Sequence, residues 1–244
     1  MSFEGDFTDI HCHILPALDD GATDFDEAGE MLQTAYKEGI RRIIVTPHNH
    51  ATRKSASVES ITECVFWMNL YAEKCGIPIT LYNGNEIYYR TGIADSLEKG
   101  EILSLAEGPY VLIEFDPGVE YSYLRDGLWE LLRFGYYPIL AHAERYDCLF
   151  DKKNRLQELR NSGIYIQVNA SSFLQGFLSE IRKRTKILIK ENCVDFIGTD
   201  AHSNRSRAPR IRQCVDYLYK KLGDEKTGQI LYGNPQAVID GRRI

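Results

Sequence analysis

Two hydrophobic textures alternate along this chain. Short, nearly continuous apolar or β-branched runs at 7–13, 41–48, 79–87, 110–115, 137–144, 164–170 and 194–200 predict seven strands, most of them buried on both faces. Between them, helical spacing of apolar residues predicts helices at 24–38, 58–74, 123–134, 154–161 and 179–191, with a C-terminal helix at 210–222. Alternating strands and helices imply a parallel sheet. No repeat, low-complexity tract or linker interrupts the series, so the expectation is one domain over residues 1–244.

The polar residues decide what kind of sheet. His11 and His13, His48, Glu86, Glu114, His142 and Asp200 stand at the C-terminal ends of different predicted strands. A barrel gathers such ends around one mouth, whereas an open sheet focuses ligand at one switch point. The expected fold is therefore α/β, an irregular seven-stranded (β/α) barrel. Two residues at i and i+2 on a strand share a face about 6.6 Å apart, so His11 and His13 can reach one cation. The same spacing recurs in Glu114 and Asp116, His142 and Glu144, and Asp200 and His202. Converging acids and imidazoles need cations to neutralise them. The mixed N/O donor set suits Mn, Fe or Zn.

Composition then excludes several functions. Lys plus Arg number 29 against 35 Asp plus Glu, a net charge of −6, which disfavours nucleic acid as a partner. Residues 1–10 show no basic leader and no run approaches ~18 apolar residues, so a cytoplasmic chain that does not enter the membrane is expected. A cysteine-dependent tyrosine phosphatase would place Arg six residues after its nucleophile. The six cysteines are followed there by Leu18, Leu70, Leu81, Asn154, Thr199 and Lys220, which removes that chemistry.

The run Asp-Ile-His-Cys-His-Ile-Leu-Pro-Ala-Leu-Asp-Asp-Gly-Ala at 9–22 resembles the opening motif of the polymerase-and-histidinol-phosphatase (PHP) superfamily. More narrowly, the chain is similar to the bacterial metal-dependent protein-tyrosine phosphatases encoded with capsular or exopolysaccharide genes. The likeness continues through Thr-Pro-His at 46–48, Gly-Asn-Glu at 84–86, Glu114, His-Ala-Glu-Arg-Tyr at 142–146, Thr-Asp-Ala-His at 199–202, Arg207 and Asn-Pro at 234–235. It implies a PHP-type barrel and three divalent metal ions, with manganese the leading candidate. One would be held by His11, His13, Glu86 and Asp200, a second by Glu86, Glu114 and His142, and a third by Asp20, His48 and His202. Arg145, Arg207, Asp200 and His202 would be catalytic: the arginines neutralise phosphate oxygens, and Asp200 or His202 assists the leaving group while cation-activated hydroxide attacks phosphorus. The implied substrate is a phosphorylated tyrosine-rich segment of a tyrosine autokinase that controls polysaccharide assembly. The alternative is a small-molecule phosphatase of the histidinol-phosphatase kind.

On residues alone, Asp19-Asp20-Gly21 is ordinary turn chemistry and Arg145 and Arg207 are salt-bridge candidates. Three further expectations concern surroundings. Tyr88 and Tyr89 line the mouth, the run 182–186 is the wet face of a helix, and Ala143 belongs to a variable surface.

Overall fold

The computed structural model describes residues 5–52 and 55–244. Nine strands form among the described residues: β1 (Phe7–Cys12), β2 (Ile40–Val45), β3 (His48–Asn49), β4 (Thr80–Tyr82), β5 (Glu86–Tyr88), β6 (Tyr110–Glu114), β7 (Tyr137–Leu140), β8 (Tyr165–Asn169) and β9 (Phe196–Gly198). They pair as two ladders, β1-β2-β4 and β3-β5-β6-β7-β8-β9, and every pairing is parallel. The sheet curls so that the segment after β9 meets the end of β1. Cys12 bridges Ala201, the His11 carbonyl accepts from Asp200 N at 2.8 Å, and the Ala201 carbonyl accepts from His13 N at 2.9 Å.

Two predicted strands are each broken in the structure. The run 41–48 divides at Thr46-Pro47, because proline has no N–H for the ladder. The run 79–87 divides at 83–85, where Asn85 donates to the Pro47 carbonyl at 2.8 Å and so stitches the two breaks together. Predicted strand ends at 144, 170 and 200 also overshoot: the ladders stop at Leu140, Asn169 and Gly198, and the polar residues beyond lie on turns.

The helices are α1 (Phe25–Glu38), α2 (Val58–Lys74), α3 (Ile93–Glu98), α4 (Tyr121–Arg133), α5 (Arg155–Asn161), α6 (Glu180–Lys190), α7 (Arg212–Gly228) and α8 (Asn234–Ile239). Expected starts at 24 and 179 prove to be N-caps: Asp24 accepts from Glu27 N, and Ser179 from Arg182 N. Gly223, at φ 77°, breaks α7 just past the predicted end at 222. At six residues each, α3 and α8 are too short for periodicity to reveal.

Side chains alternate between two cores. Tyr110 and Leu112, Ile139 and Ala141, and Phe196 pack inside the curl with Ile10 and Ile44. Their neighbours Val111, Ile113, Leu140 and Ile197 pack outward against the helices. The inward row is apolar below and polar at the C-terminal end, where Gln167, Asn169 and Glu114 continue it. No helix among the described residues is long and apolar enough to cross a membrane.

Candidate functional site at the strand ends

The backbone at the end of the curl is shaped around the site. Gly198 is required there, because a Cβ would stand 2.6 Å from His11 Cβ and 2.9 Å from Gln167 Nε2. Gly21 lets the 17–22 turn close on His13, since its Cβ would fall 2.0 Å from the His13 carbonyl oxygen. His142 (φ 32°) and Asp200 (φ 52°) occupy the left-handed region that non-glycine residues avoid. Both are predicted site residues.

All nine predicted ligands converge. His11 Nε2 lies 3.2 Å from His13 Nε2, 3.2 Å from Glu86 Oε1 and 3.6 Å from Asp200 Oδ1, while His13 Nε2 is 3.3 Å from Glu86 Oε2. His142 Nε2 stands 3.0 Å from Glu86 Oε1 and 3.3 Å from Glu114 Oε1. Asp20 Oδ1 is 3.3 Å from His48 Nε2 and 3.4 Å from His202 Nε2. Zinc-type bonds of ~2.0–2.1 Å at tetrahedral angles separate donor atoms by roughly 3.3 Å, so these spacings fit the edges of cation coordination shells. Two further observations agree. Glu86 Oε2 is buried without a hydrogen bond of good geometry, although His48 Nδ1 is 3.0 Å away. And the remaining nitrogens of three imidazoles are already engaged: His11 Nδ1 with Gln167 Oε1 at 3.2 Å, His13 Nδ1 with Asp19 Oδ2 at 2.7 Å, and His202 Nδ1 with the Asp200 carbonyl at 3.0 Å. Such outer partners aim the free nitrogen at a metal.

Without cations the cluster holds protons. Burial would lower the His13 pKa, but hydrogen bonds to Asp19 and Glu86 outweigh it and raise it to about 10. His142 is raised to about 9 against the same burial by Glu114 and Glu86. His202 goes the other way, down to about 4, through burial and the neighbouring His13 charge. A cation that took His13 as a ligand would have to displace its proton, so the affinity of such a cation should rise about tenfold per pH unit for each proton released, as pH climbs toward about 10. The sign for folding is opposite. A raised histidine pKa stabilises the metal-free fold fully below ~6.5, and that contribution is lost as pH rises through the folded value. Isothermal titration with Mn²⁺ or Zn²⁺ in buffers of differing ionisation enthalpy checks this; pH-independent affinity would contradict it.

Arg145 Nη2 donates to Asp200 Oδ2 at 2.6 Å and Arg207 Nη2 to Asp200 Oδ1 at 2.8 Å. These are the salt bridges that spacing suggested, but with a site residue. Each guanidinium has five N–H donors and is 38% or 45% exposed, so donors remain for an anion in the cavity. That cavity, about 270 Å³, is lined by Asp20, His48, Glu86, Glu114, His142, Arg145, Asp200, His202 and Arg207, together with His50, Tyr88, Phe115, Asp116 and Pro117.

Sequence reasoning missed an outer layer. Asp19 accepts from Gly21 N as a turn residue and also holds His13 Nδ1 and His48 N, so the expected turn folds back onto the cluster. Gln167 binds His11 and the His142 backbone, and donates to Asn169, which donates to Asp200 at 2.7 Å. Period-two reading of Tyr-Ile-Gln-Val-Asn at 165–169 would have put both amides on the inner face. His50, read as a loop residue, stacks near Tyr88 with ring centroids 4.3 Å apart at the mouth.

Other expectations are corrected. Tyr89 is buried under α4, stacked on Phe115 and donating to Glu130 at 2.6 Å, so only Tyr88 lines the mouth. Ala143 is fully buried. Within 182–186, Arg184 reaches Asp147 and the Glu144 carbonyl and Thr185 is buried, which leaves Lys183 and Lys186 as the wet residues. Glu144, spaced like a ligand, instead binds Ser172 Oγ and Asn169 N behind the site. Cys12 packs in the outer core, on the opposite side of its strand from the two histidines.

Fold and site together define a parallel α/β protein with an imidazole–carboxylate centre and an arginine pair at its strand ends. The chain belongs to the family described as "Capsular polysaccharide synthesis, CpsB/CapC", which it matches over residues 7–240. It is 31% identical to the tyrosine-protein phosphatase CpsB of Streptococcus pneumoniae over 236 residues, 95% of this chain and 97% of that one. It is 36% identical over 237 residues to the putative tyrosine-protein phosphatase CapC of Staphylococcus aureus, covering 97% and 92%. A chain from the crystal structures of YwqE from Bacillus subtilis and CpsB from Streptococcus pneumoniae, described as unique metal-dependent tyrosine phosphatases, superposes with a TM-score of 0.89 at 31% identity, covering 97% of this chain and 96% of that one.

Proposed function

We propose that the chain is a single-domain, cytoplasmic, metal-dependent protein-tyrosine phosphatase that acts on the phosphorylated tyrosine-rich segment of a tyrosine kinase in capsular or exopolysaccharide production. One observation carries the reading: nine imidazole and carboxylate side chains converge at the strand ends, and seven of them share the wall of one cavity with two half-exposed arginines. Names and activities of the relatives support it. On this reading the curl is a PHP-type barrel of seven staves, with β2 and β3 forming one broken stave and β4 and β5 another.

Three divalent cations, with manganese the first candidate and iron or zinc next, would sit on His11, His13, Glu86 and Asp200; on Glu86, Glu114 and His142; and on Asp20, His48 and His202. The chemistry they supply when bound is acidification of water and neutralisation of phosphoryl oxygens. Arg145 and Arg207 bind and orient the phosphoryl group from the cavity wall. Tyr88 gives the substrate ring an aromatic surface at the mouth. Asp19, Gln167 and Asn169 keep the ligands aimed, and His202 or Asp200 passes a proton to the departing oxygen. A phenol of pKa ~10 demands less of that acid than an alkyl alcohol does.

The test is phosphate release from a phosphotyrosyl peptide and from histidinol phosphate, after chelation and after adding back Mn, Fe, Zn or Mg. Preference for the peptide, lost with chelator and restored by metal, is expected. Preference for histidinol phosphate would move the function to small-molecule metabolism.

A further inference from the structure

A second cavity, about 330 Å³, opens beside the first and shares Arg145, Asp200 and Arg207 with it. Its far wall carries Leu174, Gln175, Arg210 and Gln213, between the segment after β8 and the start of α7. The charges in this groove are unequally committed. Asp200 is engaged by both arginines, and Glu38 accepts from Ile211 N and Arg212 N. Arg210 is exposed, and its side chain makes no hydrogen bond or ion pair with any described residue. The groove therefore offers one uncommitted cation on a surface continuous with the pair that would hold the phosphoryl group. On that far wall Leu174 is 45% exposed, and Phe177 and Leu178, which follow it closely in the chain, are 75% and 82% exposed.

We infer that this groove receives the substrate chain beside the phosphotyrosine and that Arg210 selects an anionic side chain there. The inference rests on the proposed phosphatase activity and names its sequence preference. A phosphotyrosine reaching the first cavity leaves its backbone at the rim, where the half-exposed Arg145 and Arg207 lead into the groove. The anion has two sources in a phosphorylated tyrosine-rich substrate, a neighbouring Asp or Glu or a second phosphotyrosine. Both match a guanidinium fork, and the phosphate carries the larger charge. Arg210 is a specificity residue, since nothing places it against the reacting atoms.

The experiment compares kcat/KM of the metal-loaded protein for phenyl phosphate and for three peptides of equal length: one phosphotyrosine with Ala neighbours, one with Glu neighbours, and one with a second phosphotyrosine nearby. The expected result is that both anionic peptides exceed the Ala peptide by about fivefold or more at low salt, through KM, and that the gap narrows as salt rises. A doubly phosphorylated peptide alone exceeding the Ala peptide would assign the groove to phosphate. Arg210→Glu should abolish the preference, favour a Lys-flanked peptide instead and leave phenyl phosphate turnover unchanged, a reversal that a merely structural arginine would not produce. Equal kcat/KM for all three peptides, or a preference that survives Arg210→Glu, overturns the inference while leaving the phosphatase reading intact. Failure of the wild type on every phosphotyrosyl substrate overturns both.

Discussion

Glu86→Gln should empty the centre of metal and remove turnover. The carboxylate is 1% exposed and has imidazole nitrogens of His11, His13, His48 and His142 within 3.0–3.3 Å, more than any other acid in the site. His11, His13 and His142 hold its pKa well below the usual range despite complete burial. Glutamine keeps the shape and removes the charge, so whatever is lost is electrostatic. Loss of an outer partner of a metal ligand costs ~10–100-fold in affinity or activity. The loss here should exceed ~100-fold, because this residue touches two of the three proposed positions. Metal content after gel filtration and phosphotyrosyl turnover are the readouts, and values within about threefold of wild type would remove Glu86 from the centre. Metal-free stability should also fall. The gap to wild type should be widest below pH ~6.5 and close as pH rises toward about 9–10, where the raised His142 and His13 lose their protons.

The strand-end chemistry was legible in the sequence because it is local. His11 and His13 declare themselves by spacing, and His48, Glu86, Glu114, His142 and Asp200 each stand at the end of a hydrophobic run of their own, whereas Asp20 reads as a turn residue and enters only through the resemblance. The breaks were less legible: whether 41–48 is one strand or two depends on Pro47 and on what Asn85 does across a gap of 38 residues. The outer layer was hidden for a similar reason. Gln167 and Asn169 look like amides in a strand until the sheet curls and sets them beside His11 and Asp200. Asp19 was visible as a turn, and the single fact a sequence withholds is that the turn folds back onto His13. Tyr89 was misplaced because adjacent residues on a strand face opposite ways, so Tyr88 and Tyr89 could not both reach the mouth.

Arg145→Ala should lower phosphotyrosyl turnover by about 10²-fold, the cost of losing one preorganised donor to transition-state charge, with metal content near wild type. The separation follows from how Asp200 is held. Arg145 takes one of its oxygens at 2.6 Å, but Asn169 donates to that same oxygen at 2.7 Å and Arg207 to the other at 2.8 Å. Removing Arg145 therefore leaves the proposed ligand with two of its three side-chain anchors. Arg145→Lys restores a positive charge without the planar fork, so it should recover only part of the loss. If Arg145 and Arg207 grip the same phosphoryl group, the double alanine variant should lose less than the product of the single losses. Full turnover in Arg145→Ala would strike it from the scheme. Loss of metal in step with loss of turnover would instead make it a support for Asp200, and the anion contact would then fall to Arg207 alone.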